Sequence, residues 1–353
     1  MAPRSGTRRR RMVRAVLATL AALAVTAAGL GGLVAWQNAY DLREEAVTVR
    51  RDGRTLKGVL ALPEQRKGPF PLVVFVHGDG PVDATHDTFY RPIWEAFARA
   101  GYASLSWNKP GVGGAPGDWL DQSMDDRAAE AADAIAWARQ RPDIDGGAIG
   151  LWGASQAGWV LPKIAAKDPR IRFVIAVSPA VNWHRQGRYN LLAELRRDGA
   201  SEAEVTAALR RRETGLELLG RGASYEEYVR AVGDPQGMTA ARWRFVSRNH
   251  TADASADLPA LRRTPVLLVL AGHDVNVDTA DTEAAYRRLL PGPALRVAHY
   301  PDATHGLVRH EVENSALRLT LTALCAPRAL FADGFLEDQR KFLAALDTPE
   351  ATR

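Results

Sequence analysis

Ser155 is the residue whose surroundings point most clearly to chemistry. It follows a short apolar run of strand type that starts at Ala148, and it precedes a segment, Gln156 to Lys167, with the pattern of a helix. A serine flanked by small residues at a strand-to-helix turn is the arrangement called a nucleophile elbow. Because this turn is tight, Gly153 and Ala157 are expected to be small so that the backbone and the helix can approach closely. The stretch therefore predicts a serine nucleophile that needs partners elsewhere in the chain.

Two polar groups later in the chain could be those partners. Asp274 comes shortly after the apolar run Val266 to Leu270, and His305 comes shortly after the run Leu295 to Tyr300. Functional groups in a parallel sheet gather in the loops at the carboxyl ends of the strands, which is also where Ser155 is expected. Serine, then aspartate, then histidine is the chain order typical of such sites. We therefore predict a catalytic triad of Ser155, Asp274 and His305.

Each triad member has a physical role. A serine hydroxyl is a weak nucleophile until a base removes its proton. His305 is expected to take that proton and later give it to the leaving group, while Asp274 holds the imidazole in the useful tautomer. This chemistry requires no metal and no other cofactor.

Several other residues are weaker alternatives for these roles. His273 is the second candidate for the base, and His77 is expected to fix its loop rather than to act in catalysis. The alternatives for the acid are Asp278, Asp281 and Asp302. The remaining histidines lack the spacing of metal ligands and are expected on the surface or in the core: His86, His184, His250, His299 and His310.

Apolar strands alternate with helices of 10 to 15 residues, which predicts an α/β fold with a mostly parallel sheet covered on both faces. The Asp-Gly pair at 52–53 predicts a hairpin before the first parallel strand. The alternation stops between Trp183 and about Leu261, where the pattern is charged and helical. Such an insertion predicts a helical cap over the site, with two capping boxes, Ser201 with Glu204 and Ser224 with Glu227. Tryptophans near the site could line an apolar pocket or pack in the core: Trp119, Trp159 and Trp183.

The N-terminus is basic and then apolar. Arginines up to Arg14 precede 22 uncharged residues, Ala15 to Trp36, which is long enough to cross a bilayer. We favour an uncleaved signal anchor in residues 1–36 that leaves the hydrolytic domain, 37–353, outside the cytoplasm. A cleaved signal peptide with a secreted product is the alternative, with a cut near Ala24 or Ala27.

Charge and cysteine content exclude some classes of function. The net charge is +5, and the first 36 residues carry six arginines and no acid, so the remainder carries about −1. The folded part therefore does not have the basic surface of a nucleic-acid partner. The single cysteine, Cys325, excludes an internal disulfide and is expected to be buried filler.

Three segments carry a resemblance to a known family. The stretch from Trp152 to Trp159, the stretch from Val76 to Pro81 and the stretch from Asn108 to Gly113 resemble the nucleophile elbow and two loops of bacterial α/β-hydrolase serine hydrolases. The resemblance covers about 41–346 and is closest to esterases, acyl-thioester hydrolases and prolyl-oligopeptidase-type enzymes. This chain departs from the family pattern at three positions: Ala157 replaces a usual glycine, Asp79 a serine and Pro110 an arginine.

The resemblance also implies an oxyanion hole, made by the backbone N–H groups of Gln156 and Asp79. We expect the side chain of Asp79 to turn away from the oxyanion. The predicted activity is hydrolysis of a small-molecule carboxylic ester through an acyl-enzyme, with acyl-thioester or peptide hydrolysis as alternatives. Only about 40 residues separate Trp36 from His77, which leaves no room for the β-propeller of a dipeptidyl peptidase. A membrane-anchored binding protein without catalysis is the remaining alternative.

Overall fold

Apolar runs rich in valine, leucine and isoleucine form one eight-stranded sheet at the centre of the computed structural model. The structure describes residues 5–51, 53–233 and 237–346. Arg4 of the basic N-terminus and Asp52 of the hairpin lie outside the described residues. The strands are β1 (Leu42–Arg51), β2 (Arg54–Pro63), β3 (Phe70–Val76), β4 (Ala103–Trp107), β5 (Ile144–Ala154), β6 (Val174–Val177), β7 (Val266–His273) and β8 (Leu295–Thr304).

The strand order across the sheet is β1-β2-β4-β3-β5-β6-β7-β8. The two N-terminal strands pair antiparallel with each other, and β2 pairs antiparallel with β4. All pairings from β4 to β8 are parallel. The mostly parallel sheet predicted from the alternation of strands and helices is therefore confirmed, and the carboxyl ends of β3, β5, β7 and β8 lie at the same edge.

Helices cover both faces of the sheet. One apolar cluster joins one face to α3, α4 and α9, and a second joins the other face to α2 and α12. The helices are α1 (Ser5–Gln37), α2 (Arg91–Ala100), α3 (Met124–Ala138), α4 (Leu161–Lys167), α5 (Trp183–Arg197), α6 (Glu202–Gly220), α7 (Tyr225–Val232), α8 (Ala240–Asn249), α9 (Thr279–Leu289), α10 (His310–Glu313), α11 (Ala316–Cys325) and α12 (Phe335–Leu346).

The segment between β6 and β7 is helical, as the sequence predicts. Helices α5 to α8 fill most of it, and both predicted capping boxes are present at the starts of α6 and α7. In each box the serine side chain accepts the N–H of the glutamate three residues on, which satisfies a backbone donor that the helix itself leaves free.

Some boundaries differ from the sequence prediction. Strands β7 and β8 run to His273 and Thr304, so Asp274 and His305 follow their strands directly rather than after a short loop. The helix predicted after the elbow is two pieces, a 3₁₀ turn over Ser155–Trp159 and then α4. Pro162 stands in the first turn of α4, the position where a missing backbone N–H costs nothing.

The ends of the chain hold one predicted helix and two unpredicted ones. In α1, the span Met12–Gln37 contains an 18-residue window with a mean hydropathy of 2.0 and is long and apolar enough to cross a membrane by length and composition. No element is predicted between Gly306 and Phe335, yet α10 and α11 form there. Cys325, expected to be buried, ends α11 and is partly exposed.

Candidate active site

Ser155 stands at the turn where β5 ends. Its φ is +56°, a left-handed conformation that non-glycine residues rarely adopt and that is typical of strained functional turns. A Cβ atom at Gly153 would lie 2.7 Å from the Cβ of Ala157 and 3.0 Å from the carbonyl oxygen of Val76. The expectation that Gly153 must be small is therefore confirmed, because a side chain there would collide with Ala157 and with the neighbouring strand.

Asp274 and His305 meet at the ends of β7 and β8. The distance between Asp274 Oδ2 and His305 Nδ1 is 2.8 Å. The other carboxylate oxygen, Oδ1, accepts the N–H groups of Asn276 and Val277, each at 2.8 Å. An ionised carboxylate can only accept, so His305 must carry its proton on Nδ1 and expose Nε2 as the acceptor. Asp274 is buried and His305 is partly exposed to a cavity that Ser155 also lines.

The alternative residues are engaged elsewhere. The ring of His273 is exposed and stacks on the ring of His310, with centroids 3.8 Å apart. Asp278 caps α9 by accepting the N–H of Asp281, and Asp281 pairs with Arg185. Asp302 is an exposed residue near the end of β8. None of these four residues is among the described residues that line the cavity.

The loop that follows β3, residues 77–81, borders the same cavity through Gly78 and Asp79. The carboxylate of Asp79, in this loop, is paired with other side chains. Arg242 of α8 donates to both carboxylate oxygens, at 3.0 and 2.6 Å, and Gln156 Nε2 donates to Oδ1 at 3.0 Å. Burial alone would raise the pKa of Asp79, but the hydrogen bonds and charge of Arg242 outweigh it and lower that pKa. The carboxylate is therefore neutralised by the cap.

Two buried cations hold the carbonyl groups of the same loop. Lys109 Nζ donates to the carbonyl oxygens of Gly78 and Gly80, at 2.6 and 2.8 Å. Arg127 donates to the carbonyl oxygen of His77 and, at 2.5 Å, to Oε1 of Gln156. Burial lowers the pKa of Lys109 well below its ordinary value and that of Arg127 to about 10. The backbone conformation of residues 77–81 thus depends on the buried side chains of Lys109 and Arg127.

His77 is a structural residue, as expected. Its Nε2 lies 2.5 Å from the carbonyl oxygen of Trp107, and its Nδ1 lies 3.1 Å from the hydroxyl of Tyr90. Burial lowers the pKa of the imidazole well below its ordinary value, which keeps the ring neutral. The ring joins the start of the loop to the neighbouring strand β4.

The cavity between the sheet edge and the helices α5 and α8 has a volume of about 490 Å³. Trp159 and Trp183 stack on each other at 4.9 Å within its wall, whereas Trp119 lies outside the wall, under Lys109. Asp79 is the only acid among the described residues that line the cavity, and Arg242 is the only arginine or lysine. The aromatic side chains in its lining, apart from the histidines, are Phe89, Tyr90, Trp152, Trp159, Trp183 and Phe335.

Among the charged and histidine side chains around the site, four lack a sequence assignment to it: His86 and Arg242, which line the cavity, and Lys109 and Arg127, which bind the loop at 77–81. One of them carries a readable signal. Arg127 lies in register with Ala131, Ala134 and Ala138 along the buried stripe of α3, and an arginine in line with buried alanines predicts a buried charge with a partner. Lys109 in a glycine-rich loop and Arg242 on a charged helix have the patterns of solvated residues.

The described residues include no group of three or more His, Cys, Asp or Glu side chains that could hold a metal ion. The absence of a metal requirement stays a prediction.

Comparison with known proteins places the chain among hydrolases. The family model described as X-Pro dipeptidyl-peptidase (S15 family) matches residues 52–299. The thiohydrolase aneE of Aspergillus aculeatus is 25% identical over 279 residues, 72% of this chain and 83% of that protein. The thiohydrolase apmlB of Arthrinium phaeospermum is 28% identical over 281 residues, covering 72% and 86%. The α/β hydrolase GrgF of Penicillium sp. sh18 superposes with a TM-score of 0.53 at 19% identity, covering 86% of this chain and 99% of that one.

Proposed function

The chain belongs to the X-Pro dipeptidyl-peptidase (S15) family and is a hydrolase of the α/β-hydrolase type, and we propose that it cleaves carboxylic esters through a serine acyl-enzyme. The observation that carries this proposal is the pair formed by Asp274 and His305, which opens onto the cavity that Ser155 lines from a left-handed turn. A base with its tautomer fixed and a serine at a strained turn are the parts that acyl transfer needs.

In the proposed reaction, Nε2 of His305 takes the proton of the Ser155 hydroxyl as its oxygen attacks the ester carbonyl carbon. Asp274 stabilises the imidazolium that forms and stays ionised. His305 then gives the proton to the departing alkoxide as the tetrahedral intermediate collapses to the acyl-enzyme. In the second half, His305 activates a water molecule that releases the acid and restores Ser155.

The oxyanion is proposed to bind the backbone N–H groups of Asp79 and Gln156. In a trans peptide the carbonyl of one residue and the N–H of the next point in opposite directions. Lys109 binds the carbonyl oxygen of Gly78, so the N–H of Asp79 points away from Lys109. The lysine is therefore a positioning residue: it turns one of the two proposed donors without touching the substrate.

The cavity favours a neutral, largely apolar acyl group. Aromatic and aliphatic side chains form much of its wall, and Arg242 cancels the charge of Asp79. A dipeptide with a free N-terminal ammonium would need an unpaired acid in the wall, and the described lining has none. This disfavours the release of dipeptides, although the family model carries that description.

Thioester hydrolysis is the second candidate, because two relatives that cover most of this chain are named thiohydrolases. The same triad and the same oxyanion hole would serve both reactions, and a thiolate needs less protonation than an alkoxide in order to leave. Oxygen esters and thioesters are therefore distinguished by the leaving group and not by the nucleophile.

We further propose that α1 is an uncleaved signal anchor that holds the hydrolase on the non-cytoplasmic face of a membrane. The helix is long enough to span a bilayer, and arginines precede its apolar part. N-terminal sequencing of the mature protein tests this location: loss of the segment up to Ala24 or Ala27 would indicate a signal peptide and a secreted enzyme.

A substrate panel tests the activity. We expect turnover of oxygen esters of graded acyl length, with oxygen esters at least as fast as matched thioesters, and no release of dipeptide from X-Pro amides. Ser155→Ala is the matched control and should abolish every activity on the panel. Turnover of thioesters alone would replace the ester by the thioester assignment, and turnover that survives in Ser155→Ala would refute the proposal.

A further inference from the structure

Helix α11 carries an apolar stripe on its outer face. Leu317, Leu321 and Leu324 are 69%, 52% and 52% exposed. Their spacing of four and then three residues places them on one side of a helix. The inward side is covered by a different pair, Leu319 and Ala323, which pack against the core cluster. The three exposed leucines, here called the leucine stripe, are therefore surplus to the packing of the hydrolase.

The end of α1 is fixed beside this stripe. Asn38 Nδ2 donates to the carbonyl oxygen of Leu324 at 2.8 Å. Arg328 donates to the carbonyl oxygens of Gln37 and Ala39, at 2.7 and 2.8 Å. Arg328 in turn pairs with Glu95, whose side chain is only 2% exposed. The apolar helix therefore meets the hydrolase through a docked joint rather than through a free linker.

The joint fixes where a bilayer would lie. Trp36, in the last turn of α1, is 69% exposed, and tryptophan is enriched where hydrocarbon meets the lipid headgroups. Asn38, two residues on, contacts the last turn of α11. Any bilayer that contains α1 would thus have its surface near the last turn of α11, where the leucine stripe ends at Leu324.

We propose that the leucine stripe docks into the outer surface of the same bilayer that α1 crosses. This inference rests on the proposed insertion of α1. It adds a second contact, made by an interfacial helix lying on the membrane, so that the hydrolase is held in one orientation instead of rotating about its anchor. The occupant of this surface is lipid, because Leu324 of the stripe lies beside the end of α1, where Asn38 contacts it and where Leu33 and Trp36 are also exposed.

The test uses the full chain in lipid nanodiscs, with nitroxide labels on single cysteines in a Cys325→Ser background. Labels at Leu321 and at Arg318, on the flank of the same helix, report whether oxygen or a water-soluble nickel complex collides with the label more often. We expect oxygen to dominate at Leu321 and the nickel complex to dominate at Arg318. A label at Val25, in the middle of α1, reports separately whether the anchor is inserted.

The outcomes are distinguishable. Lipid contact at Val25 together with nickel access at Leu321 equal to that at Arg318 would overturn the docking proposal and leave the anchor in place. Nickel access at both Val25 and Leu321 would overturn the anchor and the docking surface together. Spin–spin broadening at Leu321 that disappears on dilution with unlabelled chain would assign the stripe to a second copy. Turnover of a water-soluble ester by each labelled protein verifies that the protein is folded. This check does not depend on the membrane.

Discussion

The carboxylate of Asp274 is held by groups close to it in the chain, whereas the loop at 77–81 is held by cations from distant elements. Two N–H groups within three residues fix Asp274, and His305 follows the adjacent strand. The loop instead depends on Lys109, Arg127 and Arg242, which come from three different segments. We call the first region the acid–base side of the cavity and the second the carbonyl-binding side.

The two sides also differ in how charge is handled. On the acid–base side, the carboxylate of Asp274 is satisfied by neutral N–H donors and the imidazole of His305. Removing Asp274 or His305 therefore removes a group with a proposed orienting or reacting role. On the carbonyl-binding side, two buried cations, Lys109 and Arg127, act through the backbone of one loop, and the partly exposed Arg242 acts through the carboxylate of Asp79. Loss of one cation should displace the loop without removing it. We therefore expect substitutions on the acid–base side to abolish turnover, and substitutions on the carbonyl-binding side to lower it by smaller, graded amounts.

The largest effect is expected at His305. His305→Ala should lower ester turnover at least about 1,000-fold, because the base that activates Ser155 is lost. His273→Ala is the matched control and should leave turnover unchanged, since that ring stacks on His310 outside the cavity. Steady-state kinetics with a water-soluble ester measures both. Equal rates for His305→Ala and the parent would show that His305 is not the base.

A smaller effect is expected at Lys109. Lys109→Met should lower kcat about 100-fold, similar to the loss of one oxyanion donor, and should leave KM nearly unchanged because the substrate does not touch the lysine. Lys167→Met, an exposed lysine on α4, is the matched control. A loss as complete as that of His305→Ala would erase the difference between the two sides. A raised KM with an unchanged kcat would instead place Lys109 in substrate binding.

The third effect concerns stability and pH. Because burial lowers the pKa of His77, the folded protein binds fewer protons there than the unfolded chain below about pH 6.5. The free energy of unfolding should therefore fall as the pH drops, by about 1.4 kcal/mol per pH unit from this residue. His77→Gln removes that dependence.

Urea unfolding between about pH 5 and pH 7.5 measures the effect of His77. We expect His77→Gln to be less stable than the parent at the upper pH and to lose less stability on acidification. His273→Gln, at an exposed position, should keep the parental slope. Identical slopes for the parent and His77→Gln would show that the carbonyl-binding side does not contain a neutral buried histidine.

The smallest effect is expected for the pair of Asp79 and Arg242, which are both partly exposed. A double-mutant cycle with Asp79→Asn and Arg242→Gln should give a coupling of about 1 kcal/mol in the activation free energy. Arg248→Gln, on the same helix, is the control and should not couple to Asp79→Asn. Absence of coupling would mean that the α8 arginine does not help to position the loop.

The sequence indicates which strand ends meet on the acid–base side, and it gives little indication of the contacts on the carbonyl-binding side. Strand ends, their order and the tight turn at Ser155 are local features that the fold brings to one edge of the sheet. Lys109 and Arg242 act through contacts across segments, and only packing determines that Lys109 is buried. The contact of Arg242 with Asp79 depends on how the helices between β6 and β7 pack. Hydrophobic periodicity predicts those helices but not their packing.

Helix α11 was beyond prediction for a different reason. From Leu317 to Thr322 leucines alternate with polar residues, a period of two that is typical of a strand. The helix forms because Ser315 caps it and Leu319 and Ala323 pack inward, while the remaining leucines stay exposed. The exposed leucines of the proposed docking surface therefore give α11 a period of two, and the helical period that a prediction depends on is absent.

Labelling with a fluorophosphonate followed by peptide mass spectrometry identifies the nucleophile. We expect one adduct, on the oxygen of Ser155, that is absent in Ser155→Ala and forms far more slowly in His305→Ala. An adduct on any other residue, or one that persists in Ser155→Ala, would contradict the assignment of Ser155 as the nucleophile.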